Sequence, residues 1–175
     1  MLNKTITNRA NAVSRISLLL LLLSLTACGF HLRGNIPLSD GIKNMFVAAP
    51  EGTFKDTLEE VLTNAGAQLA TTRGSADVIL NISSAVSNRT VGTIDNRGKA
   101  SSYNLMFNVT YTLDDRDGNF IRETTNVSEI RRYNFDPDFV IESESEEREL
   151  QESMEEDAVL RMVRQLSTIT NFQPK

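Results

Sequence analysis

The stretch that decides the fold is Tyr103-Asn104-Leu105-Met106-Phe107-Asn108-Val109-Thr110-Tyr111-Thr112-Leu113. Tyr103, Leu105, Phe107, Val109, Tyr111 and Leu113 take every second position, and Asn104, Asn108, Thr110 and Thr112 stand between them. Successive strand side chains point to opposite faces, so this period predicts a strand with one buried and one wet face. Working outward, Asp115-Arg116-Asp117-Gly118 is a hairpin turn signal. Another strand is expected from about Phe120 to Tyr133, ended by Asn134-Phe135-Asp136-Pro137. On the other side, Val78, Leu80, Ile82, Ser84 and Val86 alternate, which predicts a strand over 77–87. A polar loop is expected from Asn88 to Ser102.

The flanks read as helices. Leu58, Val61, Leu62 and Ala65 recur at helical spacing, with Thr53 as a candidate cap, Asp56 three residues on, and Gly66 as a stop. The helix is expected over 54–65, after a short strand from Met45 to Ala49. A long helix is expected from Glu144 to Thr168, with Leu150, Met154, Ala158, Met162, Leu166 and Ile169 as its apolar stripe. Its first half is acidic and its later part carries Arg161 and Arg164, which complements the helix dipole. The order β-α-β-β-β-α predicts an α+β two-layer sandwich: a four-stranded, mostly antiparallel sheet with two helices packed on one face.

The first residues say how the chain is handled. Lys4, Arg9 and Arg15 precede an apolar run from Ile16 to Leu25, then Leu25-Thr26-Ala27-Cys28. A basic start, a short apolar run and small residues before a cut make a secretory signal. The run is about half of the ~20 residues that a membrane-spanning helix needs. Leu-Thr-Ala-Cys resembles the bacterial lipobox, in which the cysteine thiol takes a diacylglycerol and the freed amine an acyl chain such as palmitate. Residues 1–27 are therefore expected to be a signal peptide, 28–44 a lipidated tether rich in Gly, Pro and Ser, and 45–175 a single domain. Several acyl chains anchor stably where one does not. Gly29, rather than Asp, follows the cysteine, and favours the outer membrane, facing the periplasm.

Composition removes other classes. The formal net charge is −5, and losing Lys4, Arg9 and Arg15 with the leader makes the mature chain more acidic, so nucleic acid is not an expected partner. Cys28 is the single cysteine and His31 the single histidine, so no internal disulfide, His-based metal cluster or His-dependent nucleophile can be assembled. Asp115–Gly118 fails as a calcium loop: with Gly118 at position six, Leu113 and Thr124 fall at positions one and twelve, where acids belong. The acidic run over 142–157 reads as a solvated helix face, or as a surface for basic residues of a partner.

Cys28-Gly29-Phe30-His31-Leu32-Arg33-Gly34 resembles the mature N-terminus of the LptE family, the lipopolysaccharide-assembly lipoproteins of Gram-negative outer membranes. Arg97-Gly98-Lys99-Ala100-Ser101-Ser102-Tyr103 and Arg132-Tyr133-Asn134-Phe135-Asp136-Pro137 are similar to two further stretches of that family. The resemblance implies a non-enzymatic plug of the LptD β-barrel that binds lipopolysaccharide, with no cofactor beyond the diacylglycerol and N-acyl lipid on Cys28. It also implies lipopolysaccharide contact by loop cations, and Arg97 matches that loop position. Arg89 and Lys99 join it on charge, since Asp95 is the only acid between Asn88 and Ser102; Arg131 and Arg132 would join if the last strand ends beside this loop. After Pro137 the chain carries Glu142, Glu144 and Glu146 where relatives carry lysine, which argues against a second basic contact. The rival reading is a periplasm-facing lipoprotein scaffold of another envelope complex, with no glycolipid contact.

Overall fold

The computed structural model describes residues 36–174, so Cys28, the leader, His31 and most of the tether lie outside the described residues. Within them, β1 (Asn44–Ala48) leads to α1 (Thr53–Asn64) and to a two-residue strand, β2 (Gln68–Leu69). A long antiparallel meander follows: β3 (Val78–Ile94), β4 (Ala100–Asp115) and β5 (Phe120–Asn134). The chain then enters α2 (Val140–Ser167). One sheet has the order β2-β1-β3-β4-β5, with β1 parallel to both β2 and β3. The sheet thus has five strands where four were expected. The fifth, β2, is too short to carry a period; it forms because Gln68 donates its N–H to Lys43 and Ala70 to Met45 as the chain leaves α1.

Strand β4 supplies the centre of the core. Leu105, Val109, Tyr111 and Leu113 are fully buried and Phe107 nearly so, as the alternation predicts. Both helices lie on that face: Leu58 and Leu62 of α1 and Met154, Ala158, Met162 and Leu166 of α2 share one cluster with it. Burying a side chain of this size contributes about 1.5–3 kcal/mol, so the layer depends on both helices staying docked. The Tyr111 hydroxyl donates to Gln165 Oε1 at 2.7 Å, which satisfies the one polar atom that Tyr111 brings into the core. Leu38 and Ile42, read as tether, are also core residues.

Helix α1 starts differently from the expectation. Gly52, not Thr53, is the cap residue, and no side chain caps the start. The end is as expected. Gly66 has φ +91°, its N–H donates to Thr63, and Ala67 donates back to Leu62. These paired bonds form a Schellman motif, which needs a left-handed residue after the helix. Helix α2 begins at Val140, before the expected Glu144, because Asp136 organises a turn that accepts the Phe139 and Asp138 N–H groups.

The largest departure is at the polar loop. Residues 88–94 continue β3, and β4 begins at Ala100, so only Asp95–Lys99 turn. The period was hidden by register shifts at Ile82/Ser84 and Val91/Thr93, each of which adds a residue to β3 and moves its later side chains to the other face. The result is a long twisted hairpin, and because Asn134 pairs with Ser102 and Phe135 N–H still donates to Ser101, the chain leaves β5 for α2 at the same end of the sheet as the β3–β4 turn.

Candidate functional site

The hairpin turn is built around one carboxylate. Asp95 accepts the N–H groups of Arg97 at 2.8 Å and Lys99 at 2.9 Å, and Nε of Arg97 at 3.0 Å. These bonds, led by that from the Lys99 backbone, hold the Asp95 carboxyl below its usual range. Gly98, at φ +79°, closes the turn. Arg97 keeps 70% of its side chain exposed despite the ion pair, and so exposed a pair contributes little. Lys99 is exposed and makes no ion pair among the described residues.

The other cations separate by strand parity. Arg89 is not in a loop; it faces the helix layer from β3, opposite Leu105. Its Nη1 lies 2.7 Å from Glu147 of α2, and its guanidinium stacks 4.7 Å from the Tyr103 ring centroid. Arg131 also faces the helices, opposite Leu105 from the other side. It pairs with Asp157 at 2.7 Å and with Glu129 at 3.5 Å. Glu129 is 4% exposed, and Arg161 Nη2 comes within 2.7 Å of its Oε1. That contact is an ion pair by distance without hydrogen-bond alignment. Part of the acidic face of α2 thus meets arginines of its own sheet, a use that neither sequence reading anticipated. Arg132 points the opposite way, onto the sheet face away from α1 and α2, where its Nε donates to Ser102 at 3.3 Å.

The five candidates therefore divide. Arg97 and Lys99 are at the turn, Arg132 is near it on the open face, and Arg89 and Arg131 are engaged by α2. The sequence reading missed an apolar component at this end. Val91 and Ile94 of β3 and Phe139, Val140 and Ile141 at the start of α2 are all exposed, Ile141 at 80%. The signal was available: Val91 and Ile94 interrupt the polar run, and Val140-Ile141 falls outside the stripe of α2. Val86, Met106 and Ile130 add exposed apolar surface to the open face.

The lipopolysaccharide-assembly LptE family matches residues 42–166, and the chain belongs to that family. A solution structure of an uncharacterized lipoprotein B from Nitrosomonas europaea superposes with a TM-score of 0.67 at 23% identity, covering 80% of this chain and 91% of that one. A crystal structure of a minor lipoprotein from Acinetobacter baumannii gives 0.62 at 26% identity, covering 75% and 94%. The rare lipoprotein B of Shewanella oneidensis shares the fold, at 0.62, with 14% identity over 71% of this chain and 95% of that one. No curated protein matches the chain in sequence. Family membership assigns the chain to lipopolysaccharide assembly, and the neighbours share its fold.

Proposed function

We propose that this chain is an outer-membrane lipoprotein, anchored through Cys28, that seats in an LptD-type barrel and presents its β3–β4 end to lipopolysaccharide. The observation that carries the reading is the pairing at that end of exposed apolar side chains, Ile94, Phe139 and Ile141, with the cations Arg97 and Lys99. Lipopolysaccharide presents both acyl chains and phosphates, and phosphate recognition calls for guanidinium or ammonium donors. Arg89 and Arg131, held by carboxylates, position the sheet and α2 rather than meet the ligand. A barrel lumen is polar, which suits the polar rows of the open sheet face.

Two measurements test this. Affinity capture of the full chain from detergent-solubilised membranes should recover a large β-barrel protein; recovery of only inner-membrane or peptidoglycan-linked proteins would favour the scaffold reading. Separately, Lys99→Asp with Arg97→Asp should weaken lipopolysaccharide binding at least tenfold with an unchanged circular dichroism spectrum, since each charge-assisted contact contributes about 1.5–3 kcal/mol. Unchanged affinity would remove the turn from the site.

A further inference from the structure

On the sheet face that no helix covers among the described residues, Arg132 lies across two strands. It starts on β5 opposite Asn104 of β4, and its guanidinium reaches over Gly92 of β3. A Cβ at Gly92 would come 3.2 Å from Arg132 Nη2, 3.3 Å from its Nε and 2.7 Å from Ser102 Oγ. The bare backbone at Gly92 is therefore what lets the guanidinium approach β3 this closely.

Beside it is a chain of hydroxyls. Thr93 Oγ1 is 2.7 Å from Ser102 Oγ and 2.9 Å from Ser101 Oγ, and Ser102, 2% exposed, accepts Arg132 Nε. The donor inventory of this cluster exceeds its acceptors. A guanidinium has five N–H donors, and only the one on Nε has a partner among the described residues. Two contacts link the three hydroxyls, so one hydroxyl proton is also left over. Arg89, Arg97 and Arg131 each have a carboxylate within 3.0 Å; Arg132 has none among the described residues. Unspent donors around an uncompensated charge suit an acceptor-only dianion, and a phosphate monoester offers three acceptor oxygens and a charge of about −1.5 to −2.

We propose that Arg132, with the hydroxyls of Thr93, Ser101 and Ser102, forms a phosphate-monoester site on the open sheet face. Arg132 supplies the paired Nη donors, the hydroxyl chain supplies the remaining proton, and Gly92 keeps the approach clear. The proposal deepens the lipopolysaccharide reading and rests on it only for the source of the phosphate, a glycolipid headgroup rather than a free anion.

The test uses the full chain in detergent micelles, with lipopolysaccharide, phosphatase-treated lipopolysaccharide and inorganic phosphate as probes. Arg132→Gln should weaken binding of the phosphorylated glycolipid about tenfold, the scale of one charge-assisted bidentate contact, and leave binding of the treated form unchanged. Gly92→Ala keeps the charge but displaces the guanidinium, and should lose affinity in the same direction; Arg132→Lys should recover only part of it, lacking the fork. Equal binding of phosphorylated lipopolysaccharide by the unaltered chain and Arg132→Gln overturns the site while leaving the glycolipid reading intact. If no form of lipopolysaccharide binds but inorganic phosphate still shifts the Arg132 Nε–H resonance, the site stands and the glycolipid reading falls. Silence from all three probes overturns the site.

Discussion

Arg89 and Glu147, separated by 58 positions in sequence, meet at 2.7 Å and join the middle of the long hairpin to the first half of α2. The Tyr133 hydroxyl donates to the same Glu147 oxygen, and Gln151 donates to the other. Glu147 is thus a shared acceptor for β3, β5 and its own helix. The Glu147→Ala variant should destabilise the fold by about 2 kcal/mol, because it strips the partner from Tyr133 as well as from a half-exposed Arg89. Urea unfolding followed by circular dichroism reads this directly. A loss within about 0.5 kcal/mol would mean that these bonds are exchanged for water at no cost.

The same cluster predicts an alkaline transition. Burial, and then the hydrogen bond to Glu147, push the Tyr133 phenol up from 10.0 to about 12. The folded state thus holds a proton that the unfolded chain releases earlier. Stability is full below pH 10 and declines as pH rises from 10 toward 12. Tyrosinate absorbance should show Tyr133 titrating in that upper range, and Tyr133→Phe should flatten the fall in stability above pH 10.

Glu129 is the buried carboxylate between Arg131 and Arg161. Replacing it with alanine should cost about 2–3 kcal/mol, toward the lower end for a broken buried pair because both arginines are partly exposed. Arg131→Ala should cost less, since Arg161 remains beside Glu129. Neither change should alter the contribution of the turn to lipopolysaccharide binding, which a comparison with and without Lys99→Asp would reveal.

Acid should loosen both hairpin turns. Asp95 takes the Lys99 and Arg97 N–H groups, and Asp115 takes the side-chain and backbone donors of Asn119, so both carboxyls lie below 3.8. Their contribution is present above pH 3.8 and lost as pH falls through the lowered values. Amide hydrogen exchange at Arg97, Lys99 and Asn119 should therefore lose protection in acid before the β4 core does. Simultaneous loss would show that the turns have no separate stability.

Strict alternation made β4 and the helix-facing core legible in the sequence, and regular spacing did the same for α2 from Leu150 onward. What stayed hidden has physical causes. Register shifts broke the period of β3 just where it turns polar, so a strand looked like a loop and Arg89 looked like a loop cation. Charge alone also could not separate Arg131 from Arg132. They are adjacent, but the pleat sends one toward the acids of α2 and the other onto the opposite face. The apolar end escaped notice because Val91, Ile94 and Ile141 belong to no periodic stripe; only the strand pairing shows that the β3–β4 turn and the exit from β5 toward α2 fall at one end of the sheet.

The order of the strands leaves the sheet with unlike margins. At one border β2 offers only two residues of backbone, too few to nucleate pairing with another chain. At the other, β5 runs for 15 residues with no strand beyond it among the described residues. Lateral growth of this sheet, whether by a donated segment or by a second molecule, is therefore one-sided, and an edge-blocking proline belongs in β5.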